Sequence, residues 1–101
     1  MPERIDQPPE QPTPGQPVPS YAAQVLTTAA AELKRTNAGL ATEALLRRTI
    51  NSAVAARLHH LPAAVVRKAA ARAWAAIPAG VAGNSTSFQA AVLRGVARGL
   101  R

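Results

Sequence analysis

Apolar residues recur every three to four positions over most of the chain after residue 20, and this spacing predicts α-helices. The pattern is centred on residues 40–77, where Pro62 separates two apolar-periodic segments. Because proline has no backbone N–H, Pro62 either begins a third helix in its first turn or kinks one long helix. We therefore predict that residues 20–101 form an all-α bundle of about four short helices.

Turn and capping residues set the limits of these predicted helices. Ser20 is the expected N-cap of the first helix, and Pro78 ends the third. Thr86 and Gln89 have the spacing of a capping box, which would begin the fourth helix. The predicted spans are residues 21–35, residues 38 or 42 to 60, residues 62–77, and a fourth helix from residue 86 onwards.

Each of the first three helices has an apolar face at helical spacing, and we expect these faces to form the core. The faces consist of Ala22, Val25, Leu26, Ala29 and Leu33 in the first helix, Leu46, Ile50, Ala53, Val54, Leu58 and Leu61 in the second, and Val66, Ala70, Ala73, Trp74 and Ile77 in the third.

The fourth helix has the most clearly segregated face in the chain. Glycine costs about 1 kcal/mol relative to alanine inside a helix, so two glycines on one apolar face suggest close approach to another helix. We interpret this face as a packing or partner-binding surface of a helix that completes the scaffold of the second and third helices. Binding to a membrane surface is the alternative. The face comprises Phe88, Val92, Gly95, Val96 and Gly99, with Ala91 beside them.

Charge is distributed unevenly along the chain. The net charge is +7, yet residues 1–19 are net acidic, while residues 20–101 hold every basic residue except Arg4 against Glu32 and Glu43. A body this basic favours nucleic acid, an acidic protein surface or anionic lipid. The first segment is also rich in proline and has little to bury, so we predict a disordered tail over residues 1–19.

Nucleic-acid binding is the function that this charge favours most. Arginine dominates the basic residues and can make bidentate contacts to phosphate. The chain lacks spaced aromatic residues that would stack on single-stranded bases. We expect a small non-enzymatic regulator that binds DNA, mainly through the third and fourth helices. The candidate contacts are Arg47, Arg48, Arg67, Lys68, Arg72, Arg94, Arg98 and Arg101.

The junction of the second and third helices is similar to a helix-turn-helix over a short stretch. Ala55, Leu58 and Val65 stand at the positions that are usually small or apolar. His59 stands where the turn usually has glycine, and Lys68 where an apolar residue is usual. We assign no family on this likeness, and an ordinary antiparallel helix pair with a solvated basic face is the alternative.

Catalytic and metal-binding groups are scarce. The chain has no cysteine, and adjacent His59 and His60 diverge by about 100° on a helix, which makes a poor chelate. We expect no enzymatic activity, no metal, no cofactor and no small-molecule substrate. No apolar run approaches the roughly 18 residues of a membrane span, and the N-terminus lacks the apolar region of a secretory signal. A cytoplasmic location is therefore expected.

The small core leaves a second functional class open. Alanine is abundant and buries little area, and a core this small supplies about 3–5 kcal/mol on its own. A homodimer, or docking on a partner protein, would add to it. The alternative hypothesis is therefore a protein-interaction subunit, such as an adaptor, an assembly factor or a phage-type inhibitor, whose apolar stripes pack on a partner.

Overall fold

A computed structural model describes residues 16–36 and 42–100, and these residues form four α-helices and no strand. This confirms the predicted all-α bundle. Residues 1–15 of the predicted tail, the alternative helix start at Ala38 and the candidate contact Arg101 lie outside the described residues. The predicted end of the tail at residue 19 is wrong, because the first helix begins at Val18. The helices are α1 (Val18–Thr36), α2 (Glu43–Leu58), α3 (Ala63–Ala76) and α4 (Thr86–Leu100).

The central helix of the bundle is α1, on which α2, α3 and α4 each pack. The contact between α2 and α3 is slight, and α4 has very little contact with either of them. The expectation that α4 completes a scaffold of α2 and α3 is therefore wrong. Small side chains let neighbouring helices approach α1 closely from several sides. Its completely buried residues are Ala22, Ala23, Val25, Leu26, Ala29, Ala30 and Leu33.

The first helix begins earlier than its proline suggested. It starts at Val18, so Pro19 lies inside the first turn, where the missing N–H has no intrahelical partner to lose. The backbone N–H of Ser20 donates to the carbonyl of Pro17 at 3.0 Å. Ser20 is thus part of the helix, and its predicted role as the N-cap is wrong.

The predicted division at Pro62 is confirmed, because α2 ends at Leu58 and Pro62 is the residue before the first turn of α3. At the other end of α2, Thr42 acts as the N-cap. Its side-chain oxygen accepts a hydrogen bond from the backbone N–H of Leu45 at 3.2 Å. Two separate helices joined by a short turn therefore replace the alternative of one kinked helix.

The buried face of α2 agrees with the prediction, whereas that of α3 is rotated. Five of the six residues predicted for α2 are buried, and Val54 is only partly buried; the five are Leu46, Ile50, Ala53, Leu58 and Leu61. In α3 the predicted residue Ala73 is buried together with Ala69, which was not predicted, and the other predicted residues are only partly buried: Val66, Ala70, Trp74 and Ile77. Alanine occurs on every side of α3, so the apolar pattern alone did not locate the centre of its buried face.

In α4 the buried face is a different one from that predicted. The helix packs on the alanine-rich α1 through small residues placed around Leu93, which allows close approach. The buried residues are Thr86, Gln89, Ala90, Leu93 and Ala97. In the predicted face, Phe88 and Gly99 are exposed, and Val92, Gly95 and Val96 are half-buried.

The capping box predicted at Thr86 and Gln89 is wrong, because the N-cap lies one residue earlier and the third position of the helix is then Phe88, which cannot complete such a box. Ser85 is the capping residue, because its hydroxyl oxygen accepts from the backbone N–H of Phe88 at 3.1 Å. Gln89 instead turns into the protein. Its side-chain amide donates to the carbonyls of Val81 at 3.1 Å and Asn84 at 3.2 Å. These bonds hold the loop between α3 and α4 against the start of α4.

Candidate nucleic-acid interface

The predicted phosphate contacts on α2 and α3 are all solvent-exposed. A basic group that stays at the surface can exchange water for a phosphate oxygen without first leaving a packed site. The exposed groups are Arg47 and Arg48 on α2, and Arg67, Lys68 and Arg72 on α3.

Arg47 contacts two residues, Glu43 on α2 and Trp74 on α3. Its guanidinium donates to the carboxylate of Glu43 at 3.0 Å, and its central carbon lies 5.0 Å from the centre of the Trp74 ring. The side chain of Arg47 is still 57% exposed. Because Glu43 already neutralises part of its charge, we expect Arg47 to contribute less to phosphate binding than the basic residues of α3.

The basic residues of α3 lie along both edges of its outward face. Lys68 and Arg72, four positions apart, share one edge, and the helical repeat places Arg67 at the other edge. Two exposed alanines, Ala71 and Ala75, lie between the edges. α3 therefore presents a narrow, smooth surface with a cation on each side and no acidic residue in its sequence.

The remaining described candidates, Arg94 and Arg98, belong to α4, which packs on α1 with very little contact to α2 or α3. Arg94 is half-buried and Arg98 is exposed. The predicted set is thus divided between the α2–α3 pair and α4. The two groups therefore form separate candidate surfaces.

The predicted partner interface on α4 is only partly free of packing inside the molecule, because Phe88 and Gly99 are exposed whereas the half-buried Val92 and Val96 pack against the core. Among the described residues, a side chain built at Gly99 would meet nothing within 4 Å, and one built at Gly95 would meet only the Arg98 guanidinium, at 3.8 Å. Neither glycine lies against another helix, so the interpretation of these glycines as internal packing positions is wrong. The face remains a candidate surface for a partner.

The helix-turn-helix comparison receives no support from burial. Ala55, at the position of the small packing residue, is exposed, although Leu58 is buried and Val65 is half-buried.

Arg57, in the middle of the apolar stripe of α2, is half-buried. Its Nε is buried without a hydrogen-bond partner among the described residues.

Trp74 is the residue near the candidate interface that the sequence did not indicate. It lines an open cavity of about 230 Å³ with Leu46, Ile77 and Val81. That volume is below the range of about 300–1,000 Å³ in which small-molecule sites usually fall. The contact between Trp74 and Arg47 joins two helices, and no spacing along the chain could have predicted it.

The two histidines, potential metal ligands and the possibility of a membrane-spanning helix remain to be described. The rings of His59 and His60 meet edge to face at 5.5 Å, and both residues are exposed. Across residues 16–36 and 42–100, no three His, Cys, Asp or Glu side chains come together as metal ligands would. None of the helices in this part of the chain has both the length and the apolar character needed to cross a bilayer.

Comparison with protein-family models, with curated proteins and with solved structures finds no match to this chain. The charge, exposure and packing of the described residues are therefore the basis for a function.

Proposed function

We propose that this protein is a small, non-enzymatic regulator that binds DNA through the basic residues of α3, with support from α2. The outward face of α3 carries this proposal, because Arg67, Lys68 and Arg72 are exposed there and the helix has no acidic residue. Within the described residues, the carboxylates of Glu32 and Glu43 are both engaged by an arginine of their own helix.

The shape of α3 suits a DNA groove. Its 14 residues span about 21 Å, and the major groove of B-DNA is about 12 Å wide and admits one α-helix. Alanines at the centre of the face would let the helix approach, and the cations at its edges would reach phosphates on either side. Phosphate contacts supply affinity but carry no sequence information, so we expect weak sequence preference.

The test is the salt dependence of binding to a labelled DNA duplex, measured by mobility shift and fluorescence anisotropy. We expect a complex at about 50 mM salt that weakens steeply towards about 200 mM, because cations on the protein release counterions from DNA. Arg72→Gln should reduce the slope of log K against log salt by about 1. The matched control is Lys34→Gln, which removes one positive charge from the exposed surface of α1.

Two results would count against this proposal. The absence of any complex at about 50 mM salt would end it, since even non-specific phosphate contacts should hold there. An equal loss from Lys34→Gln and Arg72→Gln would show that net charge, and not the face of α3, is responsible.

A second candidate function is favoured by the exposed face of α4. Phe88 is 50% exposed, and exposed apolar groups that form a patch often mark interaction sites. In that case the chain is a protein-interaction subunit, such as an adaptor, an assembly factor or an inhibitor, acting as a homodimer or on another protein. Size exclusion with light scattering tests this, and a monomer that co-purifies with no protein from its native host would contradict it.

A further inference from the structure

The exposed face of α4 has features that select among partners. Phe88 is the one large apolar side chain that is exposed among the described residues. Val92 and Val96 follow it at intervals of four residues, and both are half-buried against the core, so that part of each side chain remains accessible beside Phe88. Gly95 and Gly99 lie beside them without side chains. The result is an apolar ridge next to accessible helix backbone.

The two glycines do not contact another helix within the part of the chain that the structure describes. Alanine would fit at either position, because the nearest atom to a side chain built at Gly95 is 3.8 Å away and Gly99 has open space. Glycine destabilises a helix relative to alanine, so the fold alone gives no reason for it here. Small residues on a helix surface allow another helix to approach closely, and we interpret the two glycines as allowing a partner helix to do so.

The charge beside this face indicates which kind of partner helix could bind there. α4 contains no acidic residue, and Arg94 and Arg98 lie four positions apart along one edge of the face. The 3.8 Å distance at Gly95 places the Arg98 guanidinium directly beside the glycine. A partner helix that covers the apolar ridge would bring its own flank against these two arginines, and carboxylates there would complement them.

We propose that α4 docks an acidic amphipathic helix of another protein. The apolar side of that helix covers Phe88, Val92 and Val96 and approaches the backbone at Gly95, and its carboxylates meet Arg94 and Arg98. This proposal rests on the second candidate function, and it adds the structure and the charge of the partner.

Two other occupants are less well matched to the same face. A second copy of the chain would present another α4, which brings more arginines and no carboxylate. An interfacial helix binds a membrane surface through bulky apolar side chains, and glycines at the centre of the face supply none. An acidic helix satisfies both the charge and the close approach.

The experiment uses the full chain and two labelled synthetic peptides of about 20 residues, long enough to form a helix. One has leucines on one face and glutamates beside them; in the other, glutamine replaces every glutamate. We expect the acidic peptide to bind roughly tenfold more tightly than the glutamine peptide in fluorescence anisotropy. Gly95→Leu should weaken its binding by roughly tenfold or more, as expected for a blocked interface centre.

Matched variants separate docking on α4 from general attraction to a basic protein. Ala75→Leu adds the same side chain to an exposed position of α3 and should leave peptide binding unchanged. Removing two charges from α4 with Arg94→Gln and Arg98→Gln should abolish the preference for the acidic peptide. Removing two charges from α3 with Arg67→Gln and Arg72→Gln should leave the preference for the acidic peptide in place. Circular dichroism confirms that each variant remains helical.

Several outcomes would overturn the proposal. One is equal binding of the acidic peptide to Gly95→Leu and to the unaltered chain, and another is an equal loss from the α3 and α4 double variants. A dimer that Gly95→Leu dissociates would identify a second copy as the occupant. Flotation with vesicles of phosphatidylglycerol and phosphatidylcholine, without peptide binding, would identify lipid. If a protein co-purifies and Gly95→Leu does not release it, this proposal fails while the second candidate function stands.

Discussion

Gln89 orders the connection between α3 and α4 through a single buried side chain. It is completely buried, and its amide donates to the carbonyls of Val81 and Asn84. Loop carbonyls lack the partners that a helix supplies, so a side-chain amide takes that role. Asn84 acts similarly, since its side-chain amide donates to the carbonyl of Gly80 at 2.8 Å. Hydrogen bonds from two side-chain amides thus hold the loop, beside the buried side chain of Val81.

Replacing Gln89 with leucine tests this role. Gln89→Leu keeps the volume but removes both donors, so we expect the free energy of unfolding to fall by about 1–3 kcal/mol. Urea denaturation followed by circular dichroism measures it. The control is Gln24→Leu, at a half-buried position whose amide donates to Gln16, and it should cost less. A Gln89→Leu variant as stable as the unaltered chain would contradict this interpretation.

At the scale of the helix, the bundle depends on the alanine-rich surface of α1. Ala29 and Ala30 are completely buried, while Ala31, the next residue, is exposed. Such positions allow three helices to pack around one, but they leave no room for a larger side chain. The bundle therefore depends as much on the absence of side-chain volume on α1 as on the presence of leucines.

The pair Ala29 and Ala31 provides a direct comparison. Ala29→Leu adds volume at a closed contact and should destabilise the protein by about 1–3 kcal/mol, because the surrounding helices must shift. Ala31→Leu adds the same volume at the surface and should change stability by no more than about 0.5 kcal/mol. Thermal unfolding of both variants measures the difference, and equal melting temperatures would show that α1 is not enclosed.

The helix limits could be predicted from the sequence better than the way the helices pack. Pro62 and Pro78 mark the limits of α3 closely, because proline acts locally. The buried face of α4 could not be predicted, because the large residue Phe88 is exposed and Val92 is only half-buried, while alanines pack on α1. Alanine occurs on both faces of these helices, so its position does not show which face is buried.

The candidate interface could likewise be predicted only in part from the sequence. The exposure of Arg67, Lys68 and Arg72 followed from their spacing relative to the apolar face of α3. Their separation from Arg94 and Arg98 did not, because it depends on which helix α4 packs against. The contact between Arg47 and Trp74 likewise depends on the arrangement of two helices in space.

Over the whole molecule, positive charge far exceeds the negative charge that could balance it. Within the described residues the acidic side chains are Glu32 and Glu43, and each pairs with an arginine of its own helix, Arg35 and Arg47. Most of the other cations are spread over the exposed surfaces of α1, α2, α3 and α4. Their mutual repulsion opposes the compact state.

Salt should therefore stabilise this protein. Raising sodium chloride from about 10 mM to about 150 mM shortens the screening length from about 30 Å to about 8 Å, which weakens repulsion between the surface cations. We expect the melting temperature to rise over this range. The Lys34→Gln, Arg48→Gln double variant removes two exposed charges and should show a smaller rise. A melting temperature that falls with salt would mean that the ion pairs outweigh the repulsion.

The central position of α1 has a consequence for synthesis of the chain on the ribosome. α1 emerges first, but α4, which has the most extensive contact with it, emerges last. At about 5–20 residues per second, several seconds separate the two. Throughout that interval the apolar surface of α1 has no complete cover, so a nascent chain that stalls before α4 presents a binding site for chaperones or for other unfinished chains.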